Sequence, residues 1–260
     1  MLPVLLHIEP ITIYSLWVML GLGMFVILLL INNLAKKRQV KIAFLANNSL
    51  AIFFTGIIFS RLFFIIKNYQ YFILQFDFGK LLEMFYIWDK GLSAWGGLIG
   101  IFLSLFLLAK KEKANFVGWS DIIITSTFFG MFFFNIGTFL DGRNYGTPTT
   151  LPWGVIIESS QYAIPIHPVQ IYAAIYTLLI GIVLFSIFNK KDFKNNGIIS
   201  LIGIFCYSFF RFLEEFLRGD ESFKILFLRD AQILAIIAMT ISGYFIYKQY
   251  QQIKSPVSQN

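Results

Sequence analysis

The chain alternates between long apolar stretches and short polar connections. Seven apolar stretches stand out, at roughly residues 12–33, 48–67, 92–109, 116–140, 168–188, 196–217 and 226–247. An α-helix needs about 20 apolar residues to cross the hydrocarbon of a bilayer, and each stretch comes close to that length. The pattern predicts an all-α fold: a polytopic membrane protein of seven transmembrane helices, with residues 1–260 forming a single domain. No repeat of fixed period is visible. An odd number of helices with different polar content argues against the inverted repeats of many transporters. No evenly spaced Asp or Glu run suggests an ion pathway.

Basic residues fall in alternate connections. Lys36, Lys37, Arg38 and Lys41 follow the first stretch, Lys110, Lys111 and Lys113 the third, Lys190, Lys191 and Lys194 the fifth, and Lys248 and Lys254 the last. Cytoplasmic loops carry the excess of Lys and Arg, so these connections are expected inside the cell, with the N-terminus outside and the C-terminus cytoplasmic. The other connections, roughly 68–91, 141–167 and 218–225, are richer in Gly, Pro, Trp and Tyr. Function is expected near them or between the helices they join.

Composition narrows the class further. The chain is 57% hydrophobic and 13% charged, with a mean hydropathy of +0.72. Soluble domains carry about a quarter charged residues, so the apolar excess has to face lipid; a soluble enzyme and a disordered chain are both excluded. The net charge of +7 reflects the basic connections and calls for no nucleic acid. Cys206 is the only cysteine and His7 and His167 the only histidines, which excludes an internal disulfide and leaves a metal site without ligands. The first residues lack the basic run and the small-residue cleavage site of a signal peptide.

An ionisable side chain inside a span costs about 2.5 kcal/mol or more, so each needs a partner or a task. Arg61 lies within IIFSRLFFII and admits two readings. It is either a buried arginine paired with a carboxylate such as Asp121, or a site for lipid phosphate, which the guanidinium fork binds with two donors. Asp121, one turn into its stretch, reads as structural. In CYSFFRFLEEFLRGD, Tyr207, Arg211, Glu214 and Arg218 follow one another at intervals of four, three and four, which places them on one helical stripe with Glu215 beside it. Such a stripe is either a salt-bridge ladder closing the helix end or an anion site whose arginines are held by carboxylates, suited to a phosphate leaving group.

Three further stretches carry candidate residues. GLSAWGGLIG, residues 91–100, lets helices or lipid approach the backbone. DGRNYGTPTTLPWG, residues 141–154, is a polar glycine-rich loop that places Arg143 outside or at the interface. IHPVQIYAAIY sets His167, Pro168 and Gln170 at the start of the fifth stretch, where proline suits a first helical turn. His167 is either a proton acceptor or a structural interfacial histidine.

In order and spacing these residues resemble the prolipoprotein diacylglyceryl transferase family over nearly the whole chain. The resemblance runs from Tyr14 in IYSL through Arg61 in SRLFF, GGLIG at 96–100 and Asp121. It continues through GTPTTLPWG at 146–154 and HPVQIY at 167–172 to Tyr207, Arg211, Glu215 and Arg218 in YSFFRFLEEFLR. It implies a multi-pass enzyme of the bacterial plasma (inner) membrane that moves the diacylglyceryl group of phosphatidylglycerol onto the lipobox cysteine thiol of a prolipoprotein. Glycerol 1-phosphate leaves and a thioether forms. Phosphatidylglycerol, the lipobox peptide and membrane lipids are the implied partners; no nucleic acid, metal or organic cofactor is implied. On this resemblance Arg211 stabilises the phosphate, Tyr207 donates a hydrogen bond and Glu215 orients Arg211. Arg61 and Arg218 are second choices for the head group, Gly96 and Gly97 line the lipid site, and Tyr14, Arg143, Gly146, His167 and Gln170 are expected at the substrates.

The chain departs from the family pattern at four polar positions. Trp95 stands where the family has histidine. Residues 134–139 read FNIGTF where the family has Gly-Arg-x-Gly-Asn-Phe, so Asn135 replaces arginine and Thr138 replaces asparagine. Arg143 stands in place of a glutamate, returning a positive charge eight residues after the one lost at Asn135. These replacements keep a second function open, a catalytically impaired relative that binds anionic phospholipid or lipoprotein precursor. A small-molecule transporter would require a continuous polar path, whereas charge is confined to the second stretch and the outer end of the sixth.

Overall fold

A computed structural model describes residues 2–9, 11–74, 77–85, 91–157, 160–188, 190, 197–220, 224–225 and 227–254. The chain is mostly helical. In order it forms strands β1 (Val4–Ile8) and β2 (Ile11–Tyr14), helices α1 (Ser15–Arg38) and α2 (Ala43–Lys67), a π-helical turn (Gln70–Leu74), α3 (Phe78–Glu83), α4 (Ala94–Lys111) and α5 (Phe116–Asp141). There follow α6 (Val169–Phe188), α7 (Ile198–Glu214), a 3-10 turn (Glu215–Leu217), β3 (Lys224–Ile225), β4 (Leu228–Arg229) and α8 (Asp230–Lys254). Each of the seven apolar stretches coincides with one long helix, its ends displaced by a few residues. Among the described residues α1, α2, α5, α6 and α8 are long and apolar enough to cross a membrane.

The all-α expectation needs correction at two antiparallel hairpins, β1–β2 and β3–β4. The first pairs His7 with Thr12 and Ile8 with Ile11, and the His7 Nδ1 and Thr12 Oγ1 atoms lie 2.8 Å apart. An apolar run of VLLHI and ITIY counts toward hydropathy whether it forms strand or helix, which is why length alone did not separate it from the first span. The second hairpin occupies the start of the expected seventh stretch, so the helix begins at Asp230. There the Asp230 carboxylate accepts the Ala231 N–H at 2.9 Å and the Gln232 side-chain carbonyl accepts the Arg229 N–H at 3.0 Å. Both satisfy donors that a helix start leaves free.

Two compact units make up the chain, residues 39–116 and the remainder, 1–38 with 117–260. In the smaller unit α2 packs on α4 through glycines. A Cβ at Gly100 would lie 2.7 Å from both the Phe59 Cβ and the Thr55 carbonyl oxygen, and one at Gly96 would meet the Phe59 carbonyl and come within 2.7 Å of the Phe63 Cβ. Small residues are what let two helices in lipid approach this closely. Ser93 starts α4: its hydroxyl accepts the Gly96 N–H, and its carbonyl accepts the Ser60 hydroxyl at 2.7 Å. At the opposite end the Asn48 side chain donates to Glu112 at 2.8 Å.

The larger unit gathers α1, α5, α6, α7 and α8. Gly23 of α1 crosses α5 at Gly130, where a Cβ would stand 3.1 Å from the Gly130 carbonyl oxygen. Trp119, Ile122, Leu184 and Ile199 form its buried core. Asp121 is fully buried there; its Oδ1 accepts the Ser200 N–H at 2.9 Å and the Ser200 hydroxyl at 2.5 Å, pinning α5 to α7. Arg38 closes α1 over the Phe188 ring, 4.2 Å from its centroid.

The glycine crossing yields a contrast between neighbours. Gly100→Ala forces a methyl into the α2 backbone and is expected to cost about 1–3 kcal/mol, lowering the melting temperature of the purified protein in detergent. A Cβ at Gly97 would lie 3.7 Å from the Ser60 Cβ, an ordinary contact, so Gly97→Ala should melt at or above the wild-type temperature. Equal melting of the two variants contradicts the crossing.

Candidate functional site

The sequence stripe on α7 becomes an ion-pair lattice. Arg211 pairs through Nη1 with Glu214 Oε1 and through Nη2 with Glu215 Oε1. The i,i+3 and i,i+4 spacings bring these groups onto one helical face. After Glu214 the helix tightens into the 3-10 turn, and Arg218 adopts an extended backbone at φ −81°, ψ 132°. That change of direction leaves the Arg218 Nη1 3.3 Å from Glu214 Oε1 and its Nε 3.9 Å from Glu215 Oε1. The Arg218 Nη2 meets Asp220 Oδ2 at 2.6 Å. Lower on the helix, Tyr207 lies against Phe128 and Tyr176, with ring centroids 6.0 and 6.1 Å away.

Arg229, Asp220 and Tyr176 complete the lattice and were missed in the sequence reading. The β3–β4 hairpin swings Arg229 onto the lattice, its Nε 2.5 Å from Glu215 Oε2 and its Nη2 3.1 Å from Asp220 Oδ1. Tyr176 of α6 donates its phenol to Glu214 Oε2 at 2.7 Å. The cost argument that singled out Arg61 and Arg211 also covers Arg229, an arginine inside the seventh apolar stretch. No comparable signal marked Tyr176.

Two loop motifs, residues 141–154 and 167–172, meet at the end of α7. Gly146 bridges Arg218, the Thr147 N–H donates to the Leu217 carbonyl at 2.8 Å, and the His167 N–H donates to the Thr147 carbonyl at 2.9 Å. A Cβ at Gly146 would run into the His167 carbonyl and come within 2.7 Å of the His167 Cβ, so only glycine fits there. The Gln170 side-chain amide donates to the Arg143 carbonyl at 2.7 Å; its Oε1 is buried with no hydrogen-bond partner among the described residues. Arg143 itself is mostly exposed and pairs with Asp141. The Tyr172 hydroxyl accepts the Trp153 indole N–H at 2.7 Å and lies 3.3 Å from His167 Nδ1, so its own proton is free to go to the histidine.

Of the remaining candidates, Tyr14 belongs to the larger unit and Arg61, Gly96 and Gly97 to the smaller. Tyr14 ends β2 with its ring half exposed. Arg61 is buried in the smaller unit, where it donates to the Met84 and Gly91 carbonyls at 2.9 Å each and to the Glu83 carbonyl. Gly96 faces the α2 backbone and Gly97 faces Ser60. Of the four replaced positions, Thr138 is buried with its hydroxyl on the Asn135 carbonyl at 2.9 Å, within α5. Trp95 opens α4, but its side chain lies outside the described residues, as do Lys191 and Lys194.

Helices of the length and apolarity of α1, α2, α5, α6 and α8, together with a buried arginine–carboxylate lattice at the end of α7, define a multi-pass membrane protein with a polar centre. The chain belongs to the prolipoprotein diacylglyceryl transferase family, whose family model matches residues 3–248. It is 30% identical to a phosphatidylglycerol–prolipoprotein diacylglyceryl transferase of Clostridium tetani over 250 residues, covering 95% of this chain and 97% of that protein. It is 33% identical to the Aeromonas salmonicida protein of the same name over 190 residues, covering 70% of this chain and 68% of that protein. The Prochlorococcus marinus protein of that name, from strain MIT 9301, is 29% identical over 234 residues, 83% of this chain and 78% of that protein. The chain is therefore assigned to a family of membrane transferases.

Asp220 sits beyond the span and reports on the lattice. Burial works against its charge, but the Arg218 guanidinium, by hydrogen bond and by charge, and Arg229 beyond it hold its carboxyl below the usual carboxylate range. The same contacts outweigh burial at Arg218 and hold that guanidinium more firmly protonated. A carboxyl whose folded pKa is depressed contributes stability above its unfolded value of about 3.9 and loses it as pH falls through the folded value. The thermal advantage of the wild type over Asp220→Asn should thus be full at pH 6 and disappear as the pH drops below about 3.9. An advantage that does not change with pH contradicts the pairing.

Proposed function

We propose that this protein transfers the diacylglyceryl group of phosphatidylglycerol to the lipobox cysteine thiol of a prolipoprotein in the bacterial inner membrane. Family membership over nearly the whole chain, joined to an arginine lattice at the end of α7, carries the reading. The whole chain acts as one transferase domain of seven spans, with the N-terminus outside and the C-terminus in the cytoplasm, as the basic connections favour.

The reaction asks two things of the protein. A thiolate has to attack the glycerol carbon that bears the phosphate, forming a carbon–sulfur bond. The carbon–oxygen bond to the phosphate breaks as the carbon–sulfur bond forms, and the oxygen leaves on glycerol 1-phosphate with charge that must be stabilised by fixed positive groups. Arg211 takes the phosphate. Its side chain is 18% exposed against 11% for Arg218 and 10% for Arg229, so it is the most reachable of the three lattice arginines. Glu215 orients it and Tyr207 supplies a nearby donor. Arg218 and Arg61 serve the head group, and Gly96 and Gly97 the lipid. Gly146, His167, Gln170 and Arg143 serve the substrates from the loop cluster, where the Gln170 Oε1 is an acceptor awaiting a donor. Tyr14 is assigned to the substrates from the larger unit.

Purified protein, phosphatidylglycerol and a lipobox peptide should together produce the diacylglyceryl mass on the peptide cysteine. Arg211→Lys keeps the charge but loses the two-pronged fork, and kcat should fall about 100- to 1000-fold. A peptide left unmodified by well-folded wild-type protein overturns the assignment.

A further inference from the structure

Among the described residues the lattice carries no spare charge. It joins three guanidiniums, Arg211, Arg218 and Arg229, to three carboxylates, Glu214, Glu215 and Asp220. A phosphate that docks on the outer fork of Arg211, through Nη1 and Nη2, competes with the two carboxylates already bound there. Leaving either carboxylate buried without a partner would be costly. The one that moves must therefore have somewhere else to bind.

The two are not equivalent. Glu215 is almost fully buried and paired in charge at both oxygens, one with Arg211 and the other with Arg229, the latter without a hydrogen bond. Drawing it off Arg211 would also pull on the contact to Arg229, which would be left with Asp220 as its carboxylate. Glu214 has partners that do not depend on Arg211. Its Oε1 already lies 3.3 Å from the Arg218 Nη1, and its Oε2 accepts the Tyr176 phenol at 2.7 Å. The Tyr176 ring is stacked on Phe210 at 5.4 Å with an interplanar angle of 11°, so the phenol is a fixed post.

We propose that Glu214 is a displaceable counter-ion. It occupies Arg211 while the site is empty and yields that guanidinium to the phosphate of an anionic lipid. Tyr176 and Arg218 then hold it. The inference rests on the reading that Arg211 receives the lipid phosphate. Glu214 thereby sets how strongly an anion must bind to enter the site, and Tyr176 sets how readily the carboxylate steps aside. Both act on affinity for the lipid, not on the attack of the thiol.

The two residues should move the KM for phosphatidylglycerol in opposite directions. Glu214→Gln removes the competing charge but keeps an acceptor for Tyr176, and the KM should fall about tenfold, with the KM for the lipobox peptide unchanged. Tyr176→Phe removes the post, leaves Glu214 on Arg211, and should raise the lipid KM several-fold. Joined to Glu214→Gln, Tyr176→Phe should have no further effect, because no carboxylate is left to park. Damage to packing alone would shift both single variants the same way. A lipid KM that stays level or rises in a Glu214→Gln protein of wild-type melting temperature overturns the proposal. If that variant does not assemble, Tyr176→Phe decides alone, and an unchanged or lowered KM overturns it. Arg211→Lys separates the two layers: a wild-type KM and kcat in that variant sink the phosphate reading itself, whereas an impaired Arg211→Lys beside an unmoved Glu214→Gln sinks only the counter-ion.

Discussion

An arginine cannot shed its proton, and that constraint shapes the end of α7. Arg211, Arg218 and Arg229 are largely buried at the end of an apolar helix, and each must find negative charge and hydrogen-bond acceptors. Glu214, Glu215 and Asp220 supply the charge, and the carbonyls of Arg218 and Asp220 accept further bonds from Arg229. Much of the local backbone serves these pairings. The helix gives way to a 3-10 turn so that Arg218 can reach back to Glu214, and a two-residue hairpin carries Arg229 across to Glu215. The smaller unit answers the same constraint differently, holding the charge of Arg61 with main-chain carbonyls near the ends of the segment that joins α3 to α4.

The long helices were legible because apolar length is a direct physical requirement of lipid, and the seven stretches differ from the helices only at their ends. The stripe on α7 was legible because helical periodicity puts Tyr207, Arg211 and Glu214 on one side, whereas Arg218, expected on the same helix, reaches Glu214 from an extended backbone beyond its end. Other features depend on tertiary contact and leave little local trace. Arg229 reaches Glu215 through strands of two residues each, too short to show a pattern. Tyr176 meets Glu214 only because α6 packs on α7. Gly146 stood out as a candidate substrate residue, and its immediate physical reason is the close approach of the His167 backbone. The β1–β2 hairpin was hidden because its residues are as apolar as those of a span.

Four polar positions depart from the family pattern, at Trp95, Asn135, Thr138 and Arg143. Among them Thr138 turns its hydroxyl onto its own helix, and Arg143 holds Asp141 while its carbonyl takes Gln170. The retained lattice and the family match place the weight of the account on Arg211, whose guanidinium is now shared by two carboxylates and is the most reachable of the three. The most direct test is an experimental structure of the protein in a bilayer of phosphatidylglycerol. The account predicts a lipid phosphate oxygen about 3 Å from the Arg211 guanidinium. A phosphate seated elsewhere, with Arg211 still bound to both glutamates, would contradict it.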